Sequence, residues 1–167
     1  KKNPLFKEVI QLHKDDGVYV LNCAMQYNDG YAEQTLSFVN SIRTIDGGTH
    51  EIGFKSALTK ICNRFAQKYN MLKDEAFSSD DTREGLVCVI SISVPEPQFE
   101  GQTKGRLGNS EVKGLVDSWV YAFLDAYFEE NPTIAKKILQ KALVAQQART
   151  AAKRARELTR RKSELES

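Results

Sequence analysis

The chain has 167 residues, 41% of them hydrophobic and 28% charged, which is enough for one domain with a buried core and argues against global disorder. No apolar run approaches the roughly 20 residues that cross a bilayer, and no apolar signal-peptide segment follows the N-terminus, so we expect a cytoplasmic protein. The net charge of +2 is unevenly spread, because the segment from Pro132 onward carries ten basic and three acidic residues. An acidic body with a basic extension is typical of proteins that meet a polyanion.

The first sixteen residues are polar with scattered apolar positions, and they predict a linker. Residues 18–27 and 32–42 have the composition of strands and flank the turn signal Asn28-Asp29-Gly30, which predicts an antiparallel pair. Apolar residues at helical spacing predict a helix over residues 50–70, with Thr49 as its cap.

Residues 86–94 are mostly apolar and β-branched, which predicts a central strand that ends at a pair of prolines. A glycine-punctuated loop over residues 98–109 follows, and Ser110 is expected to cap a second helix. The expected buried side of that helix consists of Val112, Leu115, Val116, Trp119, Phe123, Tyr127 and Phe128.

A third, basic helix is predicted from about residue 133 to 162, since this stretch contains no glycine or proline. The element order β-β-α-β-α-α indicates an α/β (α+β) fold with helices on one sheet face. We expect a linker over residues 1–16, a body over 17–131 and a long basic helix over 132–167.

The cysteines predict neither a disulfide framework nor a metal site. Cys23, Cys62 and Cys88 are odd in number, widely spaced and outside any CxxC or CxxH pair. We expect reduced, buried thiols and no bound metal.

Two turns carry polar side chains that are candidates for ligand binding or catalysis. The loop 101–108 is neither a P-loop nor GxGxxG, yet it offers Gln102, Thr103 and Lys104 as adjacent donors between a buried strand and a helix. An ordinary mobile loop is the alternative. His50, in the turn at 47–50, has no nucleophile or carboxylate partner in sequence, so we predict no catalytic triad and interpret the turn as a strand-to-helix connection.

The basic helix is the third feature of interest. No acidic residue occurs between Lys136 and Arg156, so few of these cations can pair within the helix, which favours an anionic partner such as a nucleic-acid backbone. A solvated helix face is the alternative.

Four segments together resemble the transducer domain of the ATPase subunit of bacterial type IIA DNA topoisomerases. They are residues 37–42 with 47–50 and 53–54, residues 81–86, residues 97–104 with 107–112, and residues 151–157 with 159–162. The resemblance covers nearly the whole chain. It implies a mixed, four-stranded-type sheet with a left-handed βαβ crossover, against the usual right-handed rule, and a long C-terminal helix.

The resemblance also implies a function. Such enzymes bind ATP and Mg²⁺ in a GHKL-type domain upstream and pass one DNA duplex through another, so the chain would be an inactive part of a longer protein, with no complete catalytic set. By motif position, Gln102 and Lys104 would contact the ATP γ-phosphate. The residues expected to face DNA are Arg149, Lys153, Arg154, Arg156, Arg160 and Arg161.

The implied partners are DNA, the ATP-binding domain in cis, a second copy of the same chain, and the enzyme's other subunit, in an assembly of two copies of each. Within the family, residues 81–86 and the Arg-rich ending favour gyrase, with negative supercoiling, over topoisomerase IV, with decatenation. Three alternatives outside the family stay open: a nucleic-acid-binding module without ATP, an adaptor that pairs through its long helix, and an independent enzyme.

Overall fold

The computed structural model describes residues 2–166, which form five strands and four helices. The strands are β1 (Ile10–Asp15), β2 (Val20–Tyr27), β3 (Gln34–Val39), β4 (Ile42–Arg43) and β5 (Leu86–Ser93). The helices are α1 (Thr49–Lys68), α2 (Ser79–Arg83), α3 (Ser110–Glu130) and α4 (Pro132–Glu166).

The strands form one mixed sheet in the order β1-β2-β5-β3-β4. The apolar strand β5 is central, as its composition predicted, and it pairs antiparallel with β2 and parallel with β3. Because β3 and β5 are parallel neighbours, helix α1 makes the crossover of a βαβ unit. The predicted mixed α/β fold with a long C-terminal helix is confirmed, with a fifth strand where four were expected.

The fifth strand is β1, which lies where the sequence predicted a linker. Ile10 and Leu12 are buried and pair with Met25 and Cys23 on β2. Two inward positions are too few for the period-two pattern to distinguish an edge strand from a loop.

The predicted antiparallel pairing of residues 18–27 with 32–42 is wrong. β2 pairs with β1 and β5, whereas β3 pairs with β5 and β4. Asn28 does form a tight local turn, since its Oδ1 accepts from the Gly30 amide at 2.8 Å, while its own amide donates to the Gly85 carbonyl at 2.9 Å. The turn signal was therefore correct, but burial of β5 between the two segments decided the pairing.

The core lies between one sheet face and helices α1 and α3. Alternate residues of β2 and β5 point into it, among them Leu21, Met25, Ile90 and Ile92. At Gly53 the two helices approach so closely that an added Cβ would lie 2.4 Å from the Lys113 carbonyl oxygen. Only glycine permits that approach.

The buried face of helix α3 differs in part from the face that the sequence predicted. Val112, Val116 and Phe128 are buried as predicted, and Val120 and Leu124 complete the stripe. Leu115, Trp119, Phe123 and Tyr127, which the sequence placed on the buried side, are only partly covered. The predicted caps Thr49 and Ser110 are also wrong, because the N-cap positions are Gly48 and Asn109, and neither helix start has a side-chain cap bond.

The long helix α4 has two different halves. Its first half packs on the body through Ile134, Ala135, Ile138, Leu139, Ala142, Ala145 and Gln146. Residues 151–166, which we call the arm, are exposed throughout and span about 24 Å at a rise of about 1.5 Å per residue. The chain therefore carries a projecting basic arm, and the packed first half of α4, here called the root of the arm, is fixed to the body.

Candidate functional site

The loop over residues 98–108, here called the sensor loop, is closed at its base like a small hairpin. The Glu100 amide donates to the Arg106 carbonyl at 2.9 Å, and the Gly108 amide donates to the Gln98 carbonyl at 2.7 Å. Phe99 and Leu107 face each other across this pair. The base of the loop is thus backbone-bonded rather than mobile.

The sensor loop is also tied to the turn before α1. The Leu107 amide donates to the Gly47 carbonyl at 3.1 Å, and the Leu107 carbonyl accepts from the Thr49 amide at 3.1 Å. Leu107 itself is fully buried. Gly48, with φ +139°, lies so close that an added Cβ would be 2.5 Å from the Leu107 backbone nitrogen and oxygen. The Gly47-Gly48 pair is therefore needed because the two backbones touch.

The tip of the sensor loop contrasts with its base. Gly101 has φ +81°, and residues 101–104 are exposed. Arg106 is held by Glu100, at 2.7 Å from Nε to Oε2, and by the Asp46 carbonyl. Among the described residues, the Lys104 side chain has no hydrogen-bond or ion-pair partner. Gln102 and Lys104 thus lie at one solvent-facing tip, and an amide beside an ammonium suits the oxygens of a phosphate.

Asn109 closes the loop at the start of α3, and sequence reasoning did not single it out. It is buried, its Oδ1 accepts from the Gln98 amide at 2.6 Å, and its Nδ2 donates to the Glu96 carbonyl at 3.1 Å. The Nδ2 group also donates to Glu111, which lowers the pKa of that carboxyl. An asparagine directly before a predicted helix start was the available signal.

His50, the second residue of α1, lies in a chain of polar side chains. Its Nε2 lies 3.1 Å from Thr44 Oγ1, which lies 2.8 Å from Ser37 Oγ, and Ser37 donates to Glu51 at 2.5 Å. Because a carboxylate only accepts, this order assigns the proton of His50 to Nε2. Burial lowers the pKa of His50 to about 4, so it is neutral at pH 7 and serves the structure of the turn.

The expected DNA-facing residues fall into two groups. Lys153, Arg154, Arg156, Arg160 and Arg161 lie on the exposed arm. Arg149 instead reaches the body, where its Nε and Nη2 donate to the two oxygens of Asp81 at 3.1 and 3.0 Å. The sequence found no acidic neighbour for Arg149 along the helix, but the fold supplies one from α2.

Asp81 is a second residue that sequence reasoning did not assign. It is 3% exposed, and it forms a capping box with Ser78, whose amide donates to Asp81 Oδ2 at 2.9 Å. The Asp81 carboxylate therefore caps α2 and also binds the last packed turn of α4. In that turn, Gln146 donates to the Glu75 and Ala76 carbonyls. The Ser78-to-Asp81 spacing was the sequence signal for the cap, but not for the Arg149 contact.

Within residues 2–166, no group of three or more His, Cys, Asp and Glu side chains is placed to hold a metal ion. The three cysteines are buried thiols, and burial raises the pKa of Cys62 to about 12 and that of Cys88 to about 11. No helix in the described part of the chain is long and apolar enough to cross a membrane.

Comparison with known proteins identifies relatives along nearly the whole chain. The sequence profile of the DNA gyrase B family matches residues 1–158. The DNA gyrase B protein of Clostridium acetobutylicum is 54% identical over 99% of this chain, which covers 26% of that protein. The chain therefore spans about a quarter of the length of such relatives.

The chain is also similar to solved structures of ATPase domains. The 43K ATPase domain of Thermus thermophilus gyrase B, solved with an aminocoumarin, superposes with a TM-score of 0.84 at 39% identity, covering 94% of this chain and 43% of that one. The topoisomerase IV ATP-binding domain of Francisella tularensis, solved with a small-molecule inhibitor, gives a TM-score of 0.80 at 27% identity, covering 87% of this chain and 41% of that one.

Proposed function

We propose, from the premise that this chain belongs to the DNA gyrase B family, that it is the transducer part of an ATP-driven DNA gyrase. In this proposal Gln102 and Lys104 contact the terminal phosphate of an ATP held, with Mg²⁺, mainly by a nucleotide-binding domain in cis. The arm of α4 meets DNA. The complete assembly contains two gyrase B chains and two gyrase A chains, and it introduces negative supercoils in the bacterial cytoplasm.

One observation carries the proposal: a tip that exposes a lysine and a glutamine on a base held by backbone hydrogen bonds. An ammonium about 3 Å from a phosphate oxygen makes a charge-assisted bond that strengthens where water is excluded. Because the base is bonded to the turn before α1, a movement of Lys104 is passed to the body of the domain and is not absorbed by a mobile loop. Loss of the terminal phosphate removes that contact and allows the body to rotate against the nucleotide-binding domain.

The arm supports the second part of the proposal. Its exposed cations suit a phosphate backbone, and they require no sequence readout. We assign this contact to Lys153, Arg154, Arg156, Arg160 and Arg161. Arg149, whose charge is largely matched by Asp81, is assigned to fixing the arm on the body.

The phosphate contact is tested by Lys104→Ala in the full-length gyrase B protein, assembled with gyrase A. We expect ATP turnover to fall by about a hundredfold, since a charge that stabilises the separating phosphoryl group is lost. Lys113→Ala, an exposed lysine on α3, is the matched control and should leave turnover unchanged. Near-normal turnover with Lys104→Ala would refute the phosphate contact.

The DNA contact is tested by replacing Arg154, Arg156 and Arg160 with Gln. We expect weaker DNA binding and a salt dependence smaller by about 2–3 in the slope of log K against log salt. The matched control replaces three cations outside the arm with Gln, namely Lys73, Lys136 and Lys137. An unchanged slope contradicts the DNA contact. A reduced slope combined with normal ATP turnover for Lys104→Ala would instead favour a nucleic-acid-binding module without ATP linkage.

A further inference from the structure

A chain of polar contacts leads away from the base of the sensor loop. The Asp46 amide donates to the Gly105 carbonyl at 2.8 Å, and two residues earlier Thr44 begins the buried path through Ser37 to Glu51. Thr44 and Ser37 are almost fully buried. Hydrogen bonds, together with the short backbone stretch from Asp46 to Thr44, therefore connect Gly105 of the sensor loop with the first turn of α1, and the link between Thr44 and Ser37 is buried.

The path continues along α1 through Lys55. Its Nζ lies 3.5 Å from Glu51 and 3.8 Å from Glu33, a residue just before β3. The Lys55 side chain is 31% exposed and the two carboxylates 15% and 25%, so solvent screens these pairs only in part. Without Lys55 the two carboxylates would face each other as like charges.

The path ends on α4. Glu33 pairs with Arg83, whose guanidinium also reaches Asp80 Oδ1 at 2.5 Å on the short helix α2. On the same helix Asp81 binds Arg149 through both oxygens. The side chain of Arg83, the last residue of α2, is only 13% exposed, and through Asp81 the same helix binds Arg149, whose side chain is 38% exposed.

We propose that these contacts, here called the polar relay and defined by Ser37, Thr44, Glu51, Lys55, Glu33 and Arg83, couple the sensor loop to the root of the arm. This inference rests on the proposed function, since it supplies the route by which a phosphate contact at Lys104 biases the position of α4. The relay runs through the turn before α1, strand β3, helix α1, the segment before β3 and helix α2. Asp81 on α2 then joins it to Arg149 on α4. Lys55 is the positioning residue of the relay, because its ammonium joins Glu51, on the side of the sensor loop, to Glu33, on the side of α2.

The test is Lys55→Met in the full-length gyrase B protein, assembled with gyrase A and compared with Lys60→Met five residues along the same helix. Lys60 pairs with Asp117 on α3, at 2.8 Å, outside the relay. We expect Lys55→Met to keep ATP turnover within about twofold while supercoils introduced per ATP fall about fivefold, a coupling loss typical of interrupted networks. Lys60→Met should leave that ratio unchanged, and Lys55→Arg should restore it.

Equal supercoiling per ATP for Lys55→Met and Lys60→Met overturns the relay, provided that Lys104→Ala lowers turnover. Normal turnover for Lys104→Ala overturns the phosphate contact first, which separates failure of the relay from failure of the proposed function. A loss that Lys55→Arg does not restore also overturns the relay, because it would indicate a general packing defect.

A second measurement needs no ATP. In this chain, the NMR signal of the Arg149 Nε–H group should shift when Ser37→Ala is introduced at the loop end of the relay. In a Lys55→Met background that shift should fall at least about threefold, whereas in a Lys60→Met background it should persist. The two ends are not coupled if Ser37→Ala shifts the Arg149 signal equally in the Lys55→Met and Lys60→Met backgrounds. The same conclusion follows if Ser37→Ala, introduced as the sole change, does not shift that signal.

Discussion

The sensor loop and the arm both present cations to solvent, but they are built in opposite ways. The loop is short, and its base is bonded to a neighbouring turn through the backbone of Leu107. The arm is a continuous helix that is exposed over residues 151–166 and fixed to the body only through its root, as far as the described residues extend. A group that must report a small displacement needs a rigid base, whereas one that meets a long polyanion needs reach.

The difference also appears in what each region tolerates. Near the loop base, close contacts between backbones leave no room for added atoms, so the free energy of unfolding should depend strongly on single atoms. On the arm, side chains face water, and substitutions should change binding but hardly change stability. The predictions below test this contrast, from the largest expected effect on stability to the smallest.

Gly48→Ala should produce the largest effect. A Cβ there would lie 2.5 Å from the Leu107 backbone, at a φ of +139° that L residues avoid. We expect the free energy of unfolding to fall by at least about 3 kcal/mol, measured by urea denaturation. Gly101→Ala, at the open tip with φ +81° and nothing within 4 Å, should cost only about 1 kcal/mol. Similar costs at both positions would contradict the difference between base and tip.

His50 should make the stability of the loop base depend on pH. Its folded pKa of about 4 lies below the ordinary 6.5, so the unfolded chain binds the proton more readily and stability falls as pH falls through this window. Between pH 7 and pH 5 the expected loss is about 2 kcal/mol. His50→Gln should remove this slope, whereas His13→Gln, an exposed histidine on β1, should retain it. An unchanged slope in His50→Gln would show that other groups cause it.

Arg149→Met should lower stability by about 1–2 kcal/mol, because it leaves the buried Asp81 carboxylate without its bidentate partner. Asp81→Asn retains an acceptor for the Ser78 amide and is the matched second variant. In a double-mutant cycle the two costs should not add, and the coupling should be at least about 0.5 kcal/mol. Additive costs would show that the Arg149–Asp81 ion pair does not contribute to the free energy of unfolding.

These sites also show how far sequence alone could go. The central strand β5, helix α1 and the length of α4 followed from apolar periodicity and from the absence of glycine and proline, because those signals are local. The strand β1 and the partners of β3 did not, since pairing depends on which strand is buried between others. The candidate roles of Gln102 and Lys104 followed from the family resemblance.

Long-range contacts were the part that no local pattern contained. Asp81 and Arg149 are separated by 68 positions in the chain, and Glu33 and Arg83 by 50. A basic run without acidic neighbours looked uncompensated at Arg149, although the fold brings a carboxylate to it. Helical spacing records only partners within one turn or two, so it cannot show partners from other elements.

The smallest effect should come from the arm itself, and it separates the two halves of α4. Leu158 is 65% exposed, so Leu158→Ala should change the free energy of unfolding by no more than about 0.5 kcal/mol. Leu139, fully buried on the same helix, should cost about 3 kcal/mol when changed to Ala. Both variants keep the helical propensity of the site, so their difference measures packing alone. A large cost at Leu158 in this chain would mean that the arm is covered in solution, and a cost that grows with protein concentration would identify a second copy as the cover.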